Sequence, residues 1–175
     1  MKRIKFLLVF VLTLSLTACT SCADSSNARS GSRRSQDRSL INMTDEQVET
    51  VDRLMDYIIN KDGDGLKSMF CEAVSLSVNL GEQIQAAFDF FDSEIVSYSG
   101  IGGGGIDKAT ERGKITRLAF RPIIRNIETD SGCNYSLRVS SYLVFDEHPD
   151  KVGISKIIIT AENEKECVIG YSFVW

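Results

Sequence analysis

The sequence predicts an α+β domain in which two to three N-terminal helices pack on a curved antiparallel sheet of about four to five strands. Residues 43–91 carry apolar residues at every third or fourth position, which is the period of a helix. Residues 94–175 mostly alternate apolar and polar residues, which is the period of a strand. Helices followed by successive strands, with no helix between the strands, are typical of the α+β class.

The first helix is predicted to begin after Thr44. Thr44 and Gln47 have the spacing of a capping box, in which each side chain bonds to the backbone N–H of the other residue. Asp-Gly-Asp-Gly at residues 62–65 ends this helix, and a second, shorter helix is predicted from Leu66. Asn79 caps a third. The apolar stripe of the first helix consists of Val48, Val51, Leu54, Met55, Ile58 and Ile59.

The strands are predicted from alternating apolar residues bounded by turn residues. They cover residues 94–99, 114–128, 135–145, 152–160 and 167–175. The glycine-rich stretch Gly100–Gly105 is predicted to break the chain between two strands, either as a flexible connection or as a mobile flap. Pro122 lies within the second strand, so we expect it at a sheet edge, a bulge or a strand start.

The N-terminus has the features of a lipoprotein signal peptide over residues 1–18. A basic start is followed by an apolar run that is too short to span a membrane and has the length found in signal peptides. The run ends in Leu-Thr-Ala-Cys, which is typical of a bacterial lipobox, with Cys19 as the acylated residue. The alternative is an ordinary secretory signal. Cys22 is a poor acceptor, because Cys19 would occupy its aliphatic position.

Acylation of Cys19 would hold the protein on the extracytoplasmic face of the cell membrane. Two fatty-acid chains, palmitate among them, give stable anchoring, whereas one chain binds marginally. Residues 19–42 then form a disordered tether rich in serine and arginine, because they contain too few apolar residues to fold. The arginines either contact anionic lipids and wall polymers or belong to a solvated spacer. The folded domain covers residues 43–175.

Several stretches of the domain resemble a known family. They are Leu54–Phe70, residues 88–98, residues 113–116 and residues 149–154. Over residues 43–175 the chain resembles the α+β cone of nuclear-transport-factor-2-like (cystatin-like) domains, and more narrowly a family of small bacterial lipoproteins of unassigned function. The resemblance implies that the sheet curls around the first helices and leaves a pocket at the open end. None of these stretches is a catalytic motif.

The pocket residues that we expect are Tyr57, Tyr98, Arg138 and Tyr142. Tyrosine and arginine also occur routinely on strand faces, so these assignments are only candidates. No catalytic residue, metal ligand or cofactor is predicted. The folded part carries 13 Lys and Arg against 22 Asp and Glu, and this acidic balance argues against nucleic acid as a partner.

Two other patterns have simple structural explanations. Residues 60–65 begin like a calcium-binding loop, but the later ligand position holds Cys71 where calcium requires a bidentate glutamate, so helix capping is the better interpretation. His148 stands beside Pro149 and is predicted to be an exposed turn residue rather than a catalytic base.

Three cysteines lie in the folded part. An extracytoplasmic site permits a disulfide, and Cys133 with Cys167 is the pair that we favour, because both lie at hairpin ends. The alternative is that Cys71, Cys133 and Cys167 all remain free thiols.

These features predict a non-enzymatic binding or accessory domain for a small ligand or an envelope protein. The alternative is a small cone-fold hydrolase, isomerase or dehydratase that uses tyrosine and aspartate residues of the pocket. A third hypothesis is a structural lipoprotein that assembles with its own kind through an exposed apolar patch.

Overall fold

The computed structural model describes residues 43–77 and 79–173. The predicted signal peptide, Cys19 and the tether lie outside these residues. Four α-helices come first, and they are α1 (Asp45–Ile59), α2 (Gly63–Ser68), α3 (Glu72–Ser75) and α4 (Leu80–Phe90). Five strands follow, and they are β1 (Ile95–Glu111), β2 (Lys114–Thr129), β3 (Asn134–Phe145), β4 (Gly153–Ala161) and β5 (Glu166–Gly170). A 3-10 turn, Pro149–Lys151, lies between β3 and β4.

The capping box at the start of α1 is confirmed. The N–H of Gln47 donates to Oγ1 of Thr44 at 3.3 Å, and the N–H of Thr44 donates to Oε1 of Gln47 at 3.1 Å. The two bonds satisfy backbone groups that a helix start otherwise leaves without partners. Asp62 caps α2 in the same way, since its Oδ1 accepts from the N–H of Gly65 at 2.8 Å. The capping interpretation of residues 60–65 therefore describes the structure.

The structure has four α-helices instead of the predicted two to three, because the chain leaves α2 and pairs with the sheet before α3 begins. Phe70 forms a parallel bridge with Ile154 of β4. The N–H of Cys71 donates to the Ile154 carbonyl, and the Ile154 N–H donates to the Met69 carbonyl, both at 2.9 Å. These bonds interrupt the helix, so α2 and α3 are separate short helices. With this bridge, six chain segments take part in the curved sheet, one more than expected.

The prediction that Gly100–Gly105 breaks the chain is wrong. β1 runs through all of these glycines and pairs with β2, with Gly102 opposite Ile123 and Gly103 opposite Pro122. The ladder shifts register before Gly102 and again after Gly103. Gly100 has a φ of 66°, a conformation that glycine adopts without steric cost. The glycines therefore allow a long strand to bulge and bend rather than to end.

Pro122 lies in a strand with neighbours on both sides, so its edge and strand-start alternatives are wrong. β2 is the second strand in the order β1-β2-β3-β4-β5, in which every neighbouring pair is antiparallel. The register shift beside its partner Gly103 places Pro122 next to a bulge. A bulge accommodates proline because the ladder is already interrupted there.

The edge of the sheet at β5 is fastened to α4. The last strand ends at Gly170, earlier than predicted, and the Gly170 N–H donates to Oε1 of Gln83 at 2.8 Å. Gly170 has a φ of 76°, and a Cβ there would lie 2.2 Å from the Ser155 carbonyl oxygen. Only glycine fits this position without a shift of the backbone.

The hydrophobic core lies between the helices and one face of the sheet. It joins helix residues such as Leu54 and Phe88 to strand residues such as Leu137 and Ile157. The residues that alternate with these strand residues form the opposite surface, which we call the outer face. Among the described residues, no helix is long and apolar enough to cross a membrane.

Candidate functional site

A cavity of about 450 Å³ opens between the end of α1, the end of α4 and the start of β1. We call it the α1–α4 cleft. Its apolar lining consists of Ile58, Ile59, Phe88, Phe91 and Ile95. Its polar lining consists of Asn60, Lys61, Ser93 and Glu94, and most of these polar residues are exposed at its edge. The accessible lining is about evenly divided between polar and apolar surface, and the volume lies in the usual range for a small-molecule site.

The local sequence explains how the cleft forms. α1 ends at Ile59, because Asn60 closes the helix and Lys61 adopts a positive φ of 52° in the turn. The last turn of α1 therefore presents both Ile58 and Ile59 to the cleft. Ile58 is buried, whereas Ile59 is 38% exposed, and an exposed isoleucine in a concave surface can lose water when a ligand binds.

A hydrogen-bonded cluster lies directly beyond the cleft. We call Asp92, Thr129, Ser131 and Tyr135 the Asp92 cluster. Oδ1 of Asp92 accepts from the Thr129 hydroxyl at 2.9 Å and from the Tyr135 hydroxyl at 3.1 Å, and Oδ2 accepts from the Ser131 hydroxyl. The Asp92 N–H donates to the Tyr135 oxygen at 3.1 Å. The cluster ties the end of α4 to the β2–β3 hairpin.

The pKa shifts in this cluster indicate a structural role. Hydrogen bonds from Ser131 and then Cys133 hold the pKa of Asp92 well below its usual range. Burial, with the nearby Asp92 carboxylate, raises the pKa of Tyr135. General acid–base catalysis at neutral pH needs the opposite, a pKa moved towards 7. The cluster is therefore better suited to holding two elements together than to transferring protons.

The structure does not bring the four predicted pocket residues together. Tyr98 is 3% exposed, and its hydroxyl donates to Oδ1 of Asp52 on α1 at 3.4 Å. Tyr57 is partly buried and packs against the core cluster. The ring of Tyr142 lies 4.8 Å from that of Phe145. None of these three tyrosines lines any of the three cavities described here.

Arg138, the fourth predicted residue, lies on the outer face. Its Nη2 pairs with Oε1 of Glu166 at 2.8 Å. It lines a second, shallower cavity of about 510 Å³, which we call the outer-face cavity. The residues around this cavity are Ile123, Arg125, Asn126, Asn134, Tyr135, Ser136, Arg138, Thr160, Ala161 and Glu162. A smaller cavity of about 290 Å³ adjoins it beside Cys133 and Asn163.

The predicted Cys133–Cys167 disulfide is not formed, since all three described cysteines are free thiols. Cys167 of β5 pairs with Ile159 of β4, and Ile159 pairs with Leu137 of β3. Cys133 therefore lies two strands from Cys167 and four residues along the chain from Leu137. At usual strand spacings the two Cα atoms are about 16 Å apart. A disulfide joins Cα atoms within about 7 Å, so this register separates the pair. Burial raises the pKa of both Cys71 and Cys167.

His148 lies at the turn after β3 and is partly buried, and the centres of the His148 and Phe145 rings are 4.9 Å apart in an edge-to-face arrangement. This contact differs from the exposed position that the sequence predicts. In the part of the chain that the structure describes, no group of three or more His, Cys, Asp and Glu side chains could hold a metal ion.

Sequence reasoning missed both the α1–α4 cleft and the Asp92 cluster. The cleft residues were assigned to core stripes, because an apolar helix face has the same pattern whether or not it is fully covered. The cluster does have a local signal, which is polar residues at two turns, 92–93 and 129–131. That signal does not reveal that the two turns meet.

Comparison with protein-family models gives a match to the Domain of unknown function (DUF5104) over residues 53–162, which is more than half of the chain. The matched range contains the whole α1–α4 cleft and the whole Asp92 cluster. No curated protein matches the chain.

Proposed function

The chain belongs to the DUF5104 family of domains of unknown function, and we propose that it is a membrane-anchored extracytoplasmic lipoprotein whose folded domain binds a small ligand without catalysing a reaction. The observation that carries the binding proposal is the α1–α4 cleft, which is a cavity of about 450 Å³ lined by five apolar side chains and four polar or charged residues.

The lining of the cleft suggests the chemistry of its ligand. Five apolar side chains favour an apolar body, which gains free energy by leaving water. Lys61 at the edge can pair with an acidic group, and Asn60 and Ser93 can form hydrogen bonds. A small amphipathic molecule fits this lining when its apolar body contacts the isoleucine and phenylalanine side chains and its acidic end pairs with Lys61, away from the Glu94 carboxylate.

The anchoring part of the proposal rests on residues 16–19 and on the polar tether that follows them. The cone interpretation is supported by the order of elements, with helices on one face of an antiparallel meander and a cleft where helices and sheet meet. An anchored domain of this kind would present the cleft near the membrane surface, within reach of envelope molecules.

The observations favour binding over the enzyme alternative. The described groups with shifted pKa values are Asp92, Tyr135, Cys71 and Cys167. None of them lines the α1–α4 cleft, and each pKa moves away from neutrality. A proton-transferring enzyme needs a titratable group in its site with a pKa near the working pH.

The binding proposal is tested with anilinonaphthalene sulfonate, a fluorescent molecule with an apolar body and an acidic end. We expect saturable fluorescence enhancement with the native protein. Lys61→Gln and Ile59→Ser each weaken binding severalfold, because they remove the acidic group's partner and part of the apolar wall.

The matched control is Leu76→Ser, since Leu76 is 77% exposed and does not line the cleft. It should leave dye binding unchanged. Circular dichroism of every variant is needed, because a loosened core also binds this dye. Equal binding by wild type and both cleft variants, all folded, would overturn the proposal. If both cleft variants bind the dye more weakly than the wild type, molecules that displace the dye and raise the melting temperature will identify the natural ligand class.

The anchoring proposal is tested by labelling cells that express the protein with radioactive palmitate. We expect label on the wild type and on Cys22→Ala, and none on Cys19→Ala. Equal labelling of the two variants, or no labelled wild-type protein, would contradict the assignment of Cys19.

A further inference from the structure

Apolar side chains are exposed together where α3, the 3-10 turn and the end of β5 meet. Leu76, Val152 and Tyr171 are 77%, 39% and 43% exposed. Phe173 is partly buried close to them. We call these four residues the α3–β5 patch. Single exposed apolar side chains are ordinary on a protein surface, whereas neighbouring ones indicate a surface of contact.

Contacts made by Tyr171 join the patch. The Tyr171 hydroxyl donates to the Ala73 carbonyl of α3 at 2.8 Å. The Leu76 N–H donates to the Glu72 carbonyl, so the helical turn continues to Leu76 and makes it a neighbour of Ala73 on the helix surface. The centres of the Tyr171 and Phe173 rings are 5.4 Å apart, in an edge-to-face arrangement. Both Leu76 and Phe173 therefore lie close to Tyr171.

A lysine lies at the edge of the patch. Nζ of Lys151 is 5.0 Å from the centre of the Phe173 ring, and Val152 is the next residue in the chain. Tyrosine rings with a polar tip, and lysines whose stems cover apolar surface, are typical of the level at which a protein meets lipid headgroups. Glu72 and Asp150 are exposed on the same two elements, so the region has no excess of positive charge.

The size of the patch argues against a separate protein as its partner. Stable protein complexes bury roughly 800 Å² on each partner, which is more than four partly exposed side chains can supply. A membrane surface that a tether holds close is different, because a second contact then forms at a high effective concentration. The predicted tether, residues 19–42, has a root-mean-square reach of about 25–30 Å as a flexible chain. A small patch is therefore sufficient for contact with the bilayer.

We infer that the α3–β5 patch docks the folded domain on the lipid bilayer to which the chain is anchored. Leu76, Val152 and the two aromatic rings enter the boundary between headgroups and acyl chains, and the Lys151 ammonium stays at the headgroup level. This inference rests on the proposed anchoring at Cys19. It does not depend on ligand binding in the α1–α4 cleft.

Docking through this patch leaves the α1–α4 cleft open. The patch lies at the start of β4 and the end of β5, beside Val152 and Tyr171. The cleft lies near the other end of these strands, where Ala161 of β4 pairs with Tyr135 of the Asp92 cluster. β4 has 9 residues, a length of about 25–30 Å. The docked domain would therefore present the cleft to the envelope rather than to the lipid.

The test uses the acylated protein reconstituted in phosphatidylcholine vesicles, with and without bromine on the acyl chains. Brominated chains quench tryptophan fluorescence on contact, and Trp175, the single tryptophan of the sequence, follows Phe173 by two positions. We expect the wild type to lose about half of its fluorescence in the brominated vesicles, because a tryptophan beside a docked patch lies at the interface. Added salt should leave this loss unchanged, since the contact is apolar.

Variants assign the quenching to the patch. Leu76→Ser combined with Val152→Ser should remove most of the quenching, and both side chains are exposed, so the fold should be retained. The matched control is Ile106→Ser, because Ile106 is 52% exposed on β1, at the opposite edge of the sheet from β5. The control should be quenched like the wild type. Circular dichroism verifies that each variant is folded.

Flotation of the vesicles separates failure of anchoring from failure of docking. Wild-type protein that does not float with the vesicles would contradict the anchoring at Cys19, and the docking inference would fall with it. Wild-type protein that floats but has equal fluorescence in both kinds of vesicle would overturn docking alone. A folded double variant that is quenched as strongly as the wild type would do the same. A detergent-solubilised dimer that the double variant does not form would assign the patch to a second copy instead.

Discussion

The α1–α4 cleft and the outer-face cavity have similar volumes but are built in different ways. The cleft is lined by side chains that also belong to the core: Ile58 and Phe88 are 3% and 4% exposed. The outer-face cavity is lined mainly by side chains that the core does not need, such as Arg125, Arg138 and Glu162.

Because of this difference, a substitution in the cleft should change ligand binding and stability together, whereas a substitution at the outer-face cavity should leave stability nearly unchanged. Replacing a buried residue of the cleft removes core packing and ligand contact together. Replacing an outer-face residue changes a solvated surface and leaves the packing intact. The following substitutions test that distinction, from the largest expected effect to the smallest.

Phe88→Ala should have the largest effect. Phe88 packs in the core cluster and lines the cleft, so its removal leaves a cavity and costs about 3–5 kcal/mol of unfolding free energy. Urea denaturation followed by circular dichroism measures the loss. A cost below about 1 kcal/mol would show that the wall of the cleft is not part of the core.

Thr129→Val tests the Asp92 cluster at its most buried member. Thr129 is 1% exposed, and its hydroxyl donates to Asp92 at 2.9 Å. The isosteric valine keeps the volume but removes one of the two hydroxyls that donate to Oδ1 of the charged Asp92, so we expect a loss of about 1–3 kcal/mol in the same urea assay. Thr160→Val on the outer face is the control, and it should change the unfolding free energy by less than about 0.5 kcal/mol.

Asp92 should make the stability of the protein fall in acid. Its pKa is lowered in the folded state, so its contribution is fully present above the unfolded value of about 3.9 and is lost as the pH falls below it. Melting temperatures of wild type and Asp92→Asn, measured between neutral pH and pH of about 3, should converge on the acid side. A difference in melting temperature that stays constant across this pH range would contradict the lowered pKa of Asp92.

Arg138→Gln should have the smallest effect on stability. The Arg138 and Glu166 side chains are 52% and 44% exposed, and solvent screens an ion pair of this kind. We expect a change in unfolding free energy of less than about 0.5 kcal/mol, smaller still at high salt. A loss above about 2 kcal/mol would show that the outer face contributes to folding as the cleft does.

The parts that sequence reasoning predicted well depend on local rules. The α1 capping box and the Asp62 cap each join residues three positions apart, so the sequence shows both partners together. The alternation of Tyr135 to Phe145 predicted β3 to within one residue at its start and none at its end. Local spacing is enough wherever the interacting groups are near neighbours in the chain.

The parts that failed depend on distant partners. Glycines usually interrupt a strand, but in β1 the neighbouring β2 pairs with Gly102 and Gly103 in the middle of the glycine run and continues the ladder on both sides of it. Asp92 meets Tyr135 across 43 residues, a separation that no local pattern encodes. The predicted Cys133–Cys167 disulfide is wrong for the same reason, because two hairpin ends can lie far apart in a sheet.

The sequence by itself determined the α+β class, the start of α1 and the path of the middle strands, because periodicity and capping act over a few residues. Only the tertiary structure decided that Ile59 and Phe91 border an open cleft, that Asp92 joins two elements, and that Arg125 and Glu162 line one cavity. Those features arise from the order and register of elements that are far apart in the chain. The free energy that fixes this register comes from burying the whole core at once.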